Sequence, residues 1–367
     1  MPDPAVIFGG PSPEHDVSIL TGLQAVQALG RAGHTVNALY WSKTGDWFSV
    51  EPGAEAGAFL DGVPSGSTPV RLVASTGGGF VASGRMGRER AIEISAAVNC
   101  CHGGPGEDGS LSAVLDLAGI RYTGPSVAGA ALGMDKLAFG AVVTAAGLPS
   151  LPRAALTPTA PVDFGGPYIV KPRYGGSSIG IDTVADLDTA RARLSANVHL
   201  RAGAVVEPYR GESYDLNIAV RTWPDLQLSA IEKPLRSGAG SDILGYADKY
   251  VGGEGMVSAP RELPAQIEAK TAERIREMAA HIVELAGVRG VARIDFLADG
   301  DDIYVNEINT IPGSLAKYLW IEPAVPFDRL LLDMLDEAER RPTTAWTVQG
   351  ADGSALRSAG SIASKLA

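Results

Sequence analysis

The chain has 367 residues, 45% hydrophobic and 20% charged, with 45 glycines and 24 prolines scattered without period. These proportions suit a globular protein of two or three packed lobes and exclude a collagen-like or disordered chain. Thirty-one basic against 42 acidic residues leave a formal charge of −11. That balance argues against nucleic-acid and anionic-membrane binding, which both require a positive surface.

Residues 1–10 lack a charged-then-apolar signal arrangement, and no apolar run approaches the ~20 residues that span a bilayer, so a cytoplasmic protein is expected. Residues 5–8 form a short apolar run ending in Gly9-Gly10, read as a buried strand entering a loop. Val17, Leu20, Leu23, Val26 and Leu29 then have helical spacing between Asp16 and about Ala32. A second strand follows over residues 36–40, and β-α-β implies a parallel sheet with a right-handed crossover. Residues 51–90, rich in glycine, serine and alanine, predict loops and weak edge strands.

A buried strand is expected over residues 96–101, with Cys100 and Cys101 as reduced core thiols. It runs into the loop 102–109, after which Ser110 is predicted to cap a helix ending at Gly119. A further helix spans about 135–147, and the proline-rich stretch 148–167 reads as a lobe boundary. Strands are predicted over 168–171, 205–207, 216–220, 292–297 and 303–308, and a long amphipathic helix over 268–286. The stretch 341–367 is small and polar.

The late strand pair carries the strongest chemical signal. Strand alternation puts Arg293 and Asp295 on one face, and Glu307 and Asn309 likewise share a face. Two carboxylates and an amide oxygen on neighbouring strands are hard donors suited to Mg²⁺; the plainer alternative is a salt-bridged, solvated sheet face. Lys171 ends a strand before the glycine-rich loop 172–180, where backbone N–H groups can approach phosphate oxygens. The order of a Walker P-loop is absent, and no G-x-G-x-x-G follows the first strand.

The succession Lys171-Pro172, Gly176-Ser177-Ser178-Ile179-Gly180, Glu207-Pro208-Tyr209, Arg293-Ile294-Asp295 and Asn306-Glu307-Ile308-Asn309-Thr310-Ile311-Pro312-Gly313 resembles the D-alanine–D-alanine ligases of the ATP-grasp class. The likeness extends upstream through residues 9–18, 43–47, 102–109, 122–125 and 134–136, and covers roughly residues 5–340. It implies an α/β chain with α+β lobes: an ATP-grasp fold carrying an N-terminal parallel-sheet domain. The domains would be residues 1–124 for substrate, 125–210 and 211–342 for the two ATP-grasp lobes, and 343–367 as a tail.

By the same resemblance, Lys136 and Lys171 would contact ATP phosphates, and Glu207, Pro208 and Tyr209 would hold adenine or ribose. An acidic ribose contact falls at Glu212 or is replaced by Ser213. Asp295, Glu307 and Asn309 would bind two Mg²⁺ ions, with Mn²⁺ as a substitute. Glu14 would take the first D-alanine's ammonium, with Ser177 and Tyr250 as its hydrogen-bonding partners and His102 nearby. Lys249 would reach the γ-phosphate from a lid over residues 238–255, and Arg293 with the Gly313 N–H would stabilise an oxyanion. Tyr250 favours an amine over a hydroxy-acid acceptor. Tyr318 stands where the family has a serine for the second D-alanine's carboxylate, with Lys317 beside it. The resemblance implies a cytoplasmic homodimer acting on small amino acids to form D-alanyl-D-alanine for peptidoglycan. The alternatives are a ligase for other amino acids in specialised metabolism and an inactive nucleotide-binding regulator.

Overall fold

The computed structural model describes residues 2–83, 88–235, 260–344 and 346–366. At its centre in the N-terminal domain lies β1 (Asp3–Gly9), flanked by β2 (Asn37–Trp41) and β7 (Ile94–Asn99), both parallel to it. Helix α1 (His15–Arg31) makes the crossover from β1 to β2, so the β-α-β opening read from the sequence is present. Residues Ala5–Phe8 are fully buried, as a strand covered on both faces must be.

The stretch expected to hold only loops and weak edges is more regular than its composition suggested. After β3 (Trp47–Val50), which pairs antiparallel with β2, strands β4 (Thr68–Val73), β5 (Gly79–Ser83) and β6 (Glu89–Ala91) extend the same sheet through that stretch by antiparallel pairing. Pairing supplies the order that local propensity lacks.

The loop after β7 contains the short helix α2 (Gly104–Glu107) and leads into α3 (Ser110–Ala118). Ser110 is not the cap that was expected. It is the first helical residue, and its N–H donates to Asp108 Oδ1 at 2.8 Å. Two further helices, α4 (Val127–Met134) and α5 (Lys136–Ala145), follow, and the Asp135 carboxylate caps α5 by accepting from the N–H groups of Leu137 and Ala138.

The central lobe is an antiparallel sheet of β8 (Ala154–Ala155), β9 (Tyr168–Pro172), β10 (Asp182–Val184) and β11 (Ala204–Pro208), in the order β10-β9-β11-β8. Helix α6 (Leu187–Ala196) contributes Ala190 to a small core with Val170, Val184 and Val206.

The C-terminal lobe pairs β12 (Tyr214–Arg221), β13 (Gln227–Pro234), β14 (Arg261–Glu262), β15 (Val291–Asp299) and β16 (Asp302–Asn309), in the order β14-β13-β12-β15-β16. Ile231, Ile218, Ile294 and Ile308 stand opposite one another across these strands and pack with Phe139 of α5 and Ile275 and Ile282 of α7 (Ala269–Ala286). One residue along, Glu232, Asn217, Asp295 and Glu307 are in register on the other face. One face is a core and the other a polar row.

Helix α8 (Phe327–Arg340) belongs to the C-terminal part of the chain but packs into the first core, the one between the N-terminal sheet and α1. Its Leu330, Leu331, Met334 and Leu335 join a cluster with Phe8, Leu29 and Val98, together with Leu315 and Trp320. This helix thereby ties the N-terminal domain to the segment after β16. Among the described residues, no helix is long and apolar enough to cross a membrane.

Close packing of α1 on β1 depends on Gly22, where a Cβ would lie 2.3 Å from Phe8 Cβ. Gly22→Ala should therefore destabilise the fold by about 1–3 kcal/mol, despite alanine's better helix propensity. Urea unfolding of the two proteins side by side checks this.

Candidate active site

Two cavities meet where the three parts of the chain converge. The larger opens between the central and C-terminal sheets and is lined by Lys136, Lys171, Glu207, Pro208, Tyr209 and the polar row of β12, β13, β15 and β16. The smaller lies towards the N-terminal domain and is lined by Glu14, His102, Ser177, Asn309 and Gly313. Lys136, Arg293 and Glu307 border both. Gly175 and Gly176 border both as well, so the two cavities adjoin along a charged wall with a glycine edge.

On the side of the larger cavity, α5 starts at Lys136, whose ammonium is 2.9 Å from Glu307 Oε2 and donates to the Gly175 carbonyl at 2.7 Å. The Lys171 ammonium donates to Glu207 Oε2 at 2.8 Å and to Asn306 Oδ1 at 3.2 Å, joining the central sheet to β16. Arg153, just before β8, has its Nε 2.8 Å from Glu207 Oε1, a charge contact without hydrogen-bond alignment. Burial acts to raise the Glu207 carboxyl, but the charges of Lys171 and Arg153 outweigh it and hold the group below its ordinary value. Beyond Glu207, the Tyr209 N–H donates to the Pro167 carbonyl at 2.8 Å and fixes the turn between lobes. Glu212 is exposed and lies away from the cavity, whereas Ser213 and Asp215 line it.

The metal-ligand set expected from alternation straddles the shared wall, with Asp295 on the larger cavity, Asn309 on the smaller and Glu307 on both, and its carboxylates are compensated by cations. Arg293 forks onto Asp295 through Nε (2.6 Å) and Nη2 (2.7 Å), and Asn309 Nδ2 donates to Asp295 Oδ2 at 3.0 Å. Glu307, directly opposite Asp295 in the ladder, faces Lys136. Among the described residues, no three His, Cys, Asp or Glu side chains form a metal-binding group. The donors here are two carboxylates and the Asn309 amide oxygen, all hard and all fitting Mg²⁺.

The smaller cavity is held by hydrogen bonds between distant segments. Glu14 is buried, and Ser177 Oγ donates to its Oε1. Ser177 and Ser178 have φ of 53° and 59°, so the loop holds two non-glycine residues in the left-handed region to present that hydroxyl. Glycine is required beside the carboxylate: a Cβ on Gly103 would lie 2.4 Å from Glu14 Oε2, and one on Gly176 3.1 Å from both oxygens.

His102 bridges the N-terminal domain and the segment after β16. Its Nε2 is 2.8 Å from Thr21 Oγ1 and its Nδ1 2.8 Å from the Ile311 carbonyl. Thr21 Oγ1 also accepts from the Ser314 N–H at 3.0 Å. Glu107 accepts from the N–H groups of Gly103 (2.9 Å) and Ile311 (3.1 Å). Burial, reinforced by the Glu14 charge, raises the Glu107 carboxyl to about 7. These bonds position Gly313, the entry to a tight turn in which Ser314, Leu315 and Ala316 all have positive φ.

Tyr318 and Lys317 lie off both cavities. The Tyr318 ring sits under the Arg261 guanidinium at 4.5 Å, and its hydroxyl is 3.4 Å from Arg293 Nη1. The Lys317 ammonium lies over the Phe327 ring at 4.9 Å. Lys249, Tyr250 and the expected lid fall outside the described residues. Thr21, Glu107, Arg153, Asn217, Glu232 and Asn306 join the site without having been expected there. Single polar residues inside the apolar runs of β12 and β13 were a usable signal for Asn217 and Glu232. Arg153, within a proline-rich stretch, had none.

His102 is fully buried, and desolvation lowers its pKa from 6.5 to about 4. The folded state therefore holds a neutral ring where the unfolded chain takes up a proton. The stability this provides is complete above pH 6.5 and declines by roughly 3 kcal/mol as pH falls to about 4. His102→Asn should flatten that part of the stability–pH curve, and ring-nitrogen NMR should show His102 neutral at pH 5.

Comparison with known proteins gives a consistent picture. Residues 4–125 match the family model described as D-ala D-ala ligase N-terminus, and residues 141–336 the one described as D-ala D-ala ligase C-terminus. A D-alanine–D-alanine ligase of Mycobacterium ulcerans is 31% identical over 360 residues, covering 92% of this chain and 95% of the relative. One from Bradyrhizobium sp. (strain ORS 278) is 29% identical over 351 residues, with 92% and 95% covered. Among solved structures, the VanG D-Ala:D-Ser ligase of Enterococcus faecalis has a TM-score of 0.74 at 23% identity, covering 92% of this chain and 99% of that one. The D-alanine–D-alanine ligase of Helicobacter pylori has 0.72 at 22% identity, covering 94% and 100%. At those identities the structures speak for the fold.

Proposed function

Because the chain belongs to the D-alanine–D-alanine ligase family, we propose that it joins two D-alanines to D-alanyl-D-alanine, with ATP activating the first, as a step of peptidoglycan synthesis. The observation that carries this reading is the pair of cavities sharing a wall of Lys136, Arg293 and Glu307. Carboxylate activation by ATP requires a nucleotide and an amino acid in adjoining chambers, with phosphoryl transfer between them.

In this reading the larger cavity takes ATP. Lys136 and Lys171 face the phosphates, Pro208 and Tyr209 the base, and Glu207 the base or the ribose, whose second contact is Ser213 or Asp215 rather than the exposed Glu212. Asp295, Glu307 and Asn309 would hold two Mg²⁺ ions, which supply charge neutralisation at the phosphates. Glu14, oriented by Ser177, receives the first amino acid's ammonium and thereby points its carboxylate at the shared wall. The carboxylate attacks the γ-phosphorus, ADP leaves, and an acyl phosphate remains. A second amine then adds to that carbonyl and phosphate departs. Neither step uses a protein nucleophile, so catalysis rests on positioning and on cationic stabilisation of developing oxyanions. Arg293 and the Gly313 N–H border the smaller cavity and suit that role. Lys249 and Tyr250 remain assigned by resemblance alone, to a lid that keeps water from the acyl phosphate. The domain limits of 1–124, 125–210, 211–342 and 343–367 and a cytoplasmic homodimer belong to the same reading.

A second reading, ligation of a different acceptor amino acid, is favoured by one observation. Tyr318 occupies the space between Arg293 and Arg261, and Lys317 is turned onto Phe327. Both side chains lie off the two cavities, so neither takes the place of the serine that the resemblance implies at the acceptor end.

Phosphate release with ATP and Mg²⁺ across a panel of D- and L-amino acids separates the two. Stimulation by D-alanine alone is expected; a requirement for a second, different amino acid would select the alternative. Glu307→Gln should lower turnover by more than about 100-fold, and near-parental turnover would reject Glu307 as a metal and phosphate ligand.

A further inference from the structure

Arg153 belongs to no expected part of the site, yet its side chain is only 4% exposed. The guanidinium reaches three elements at once. Nε faces Glu207 of β11 at 2.8 Å, Nη1 donates to the Lys136 carbonyl at the start of α5 at 2.9 Å, and Nη2 donates to the Asn306 carbonyl of β16. Each of those residues holds a side chain on the larger cavity. Lys136 pairs with Glu307, and Lys171 bridges Glu207 and Asn306. Arg153 thus closes a ring of contacts running from Lys136 through Glu307, Asn306, Lys171 and Glu207 back to itself. The planar fork spreads its donors over one carboxylate and two carbonyls that lie on three separate elements.

A second observation is independent of those contacts. A Cβ on Gly140 would lie 2.8 Å from Arg153 Cδ and 3.1 Å from its Nη1. Helix α5 carries a glycine on the very face where this side chain passes, so the space for Arg153 is built into the helix.

The charges give the arrangement a purpose. Around the ring, Lys136, Lys171 and Arg153 stand against Glu207 and Glu307. Three cations face two carboxylates, and the surplus positive charge exists only because Arg153 shares Glu207 with Lys171. With Arg153 removed, the ring is neutral, and Glu207 claims the whole of Lys171.

We propose that Arg153 is a positioning residue for nucleotide binding: it offsets the Glu207 charge so that Lys171 keeps its attraction for phosphate, and it locks α5, β11 and β16 at the spacing the polyphosphate needs. This rests on the reading of the larger cavity as an ATP site. The arginine itself does not line that cavity.

The test is calorimetric titration of a non-hydrolysable ATP analogue with Mg²⁺ into the full chain, without amino acid, for the parent, Arg153→Met and Gly140→Ala. Arg153→Met should weaken binding at least tenfold. Gly140→Ala keeps the charge but crowds the side chain, and should weaken binding at least threefold although alanine favours the helix. In turnover, the ATP KM should rise while the D-alanine KM stays within twofold, a split that general loss of fold would not give. Parental affinity, within twofold, in both variants would overturn the proposal. Should Arg153→Met not fold, Gly140→Ala alone decides it by the same threshold. A parent that binds no nucleotide would instead overturn the ATP reading of the cavity.

Discussion

The antiparallel register of the C-terminal sheet is the constraint on which the site depends. Because side chains alternate, a register that stacks Ile231, Ile218, Ile294 and Ile308 against α5 and α7 must also align Glu232, Asn217, Asp295 and Glu307 on the opposite face. A slip of one residue would send the isoleucines into the cleft and the carboxylates into the core. The apolar face therefore fixes the polar face, and burial of hydrocarbon sets the spacing of the charges.

Those charges are tolerable only in company. Glu207 is buried and lies between Lys171 and Arg153; Asp295 is buried and clasped by Arg293; Glu307 faces Lys136. An uncompensated buried charge costs several kcal/mol, so each pair stabilises chiefly by preventing that loss. Mutual compensation also keeps the polar side chains of three elements in one place before any substrate arrives, which is what a reaction driven by positioning requires. The chamber beside it is held by a further set of long-range hydrogen bonds. His102, Thr21 and the backbone of residues 311–314 tie α1 to the end of β16 across nearly the length of the chain.

Much of the fold could be read in advance from periodicity. The β-α-β opening, the long helix α7 and the paired late strands all showed in their apolar spacing, since each buries one regular face. Strands β4 to β6 did not, because their order comes from pairing along the sheet rather than from composition. The assignment of α8 to the first core was likewise hidden: an amphipathic helix declares which face it buries, not which partner it will find. Ser110 misled as a cap because the same residue type serves equally as a first helical residue when Asp108 accepts its N–H.

For the site, the sequence alone determined which residues share a face. Arg293 with Asp295, and Glu307 with Asn309, follow from the two-residue period of a strand, and the succession of motifs identified the family. Only the tertiary structure decided which faces meet. It brought Glu14 to Ser177, Lys136 to Glu307 and Arg153 to Glu207, pairs separated by 54 to 171 positions in the chain. It also turned Lys317 away onto Phe327 and exposed Glu212. The physical reason is that local periodicity fixes the direction of a side chain relative to its own backbone. The choice of partner depends instead on how separate lobes pack and on which buried charges must be matched when they do.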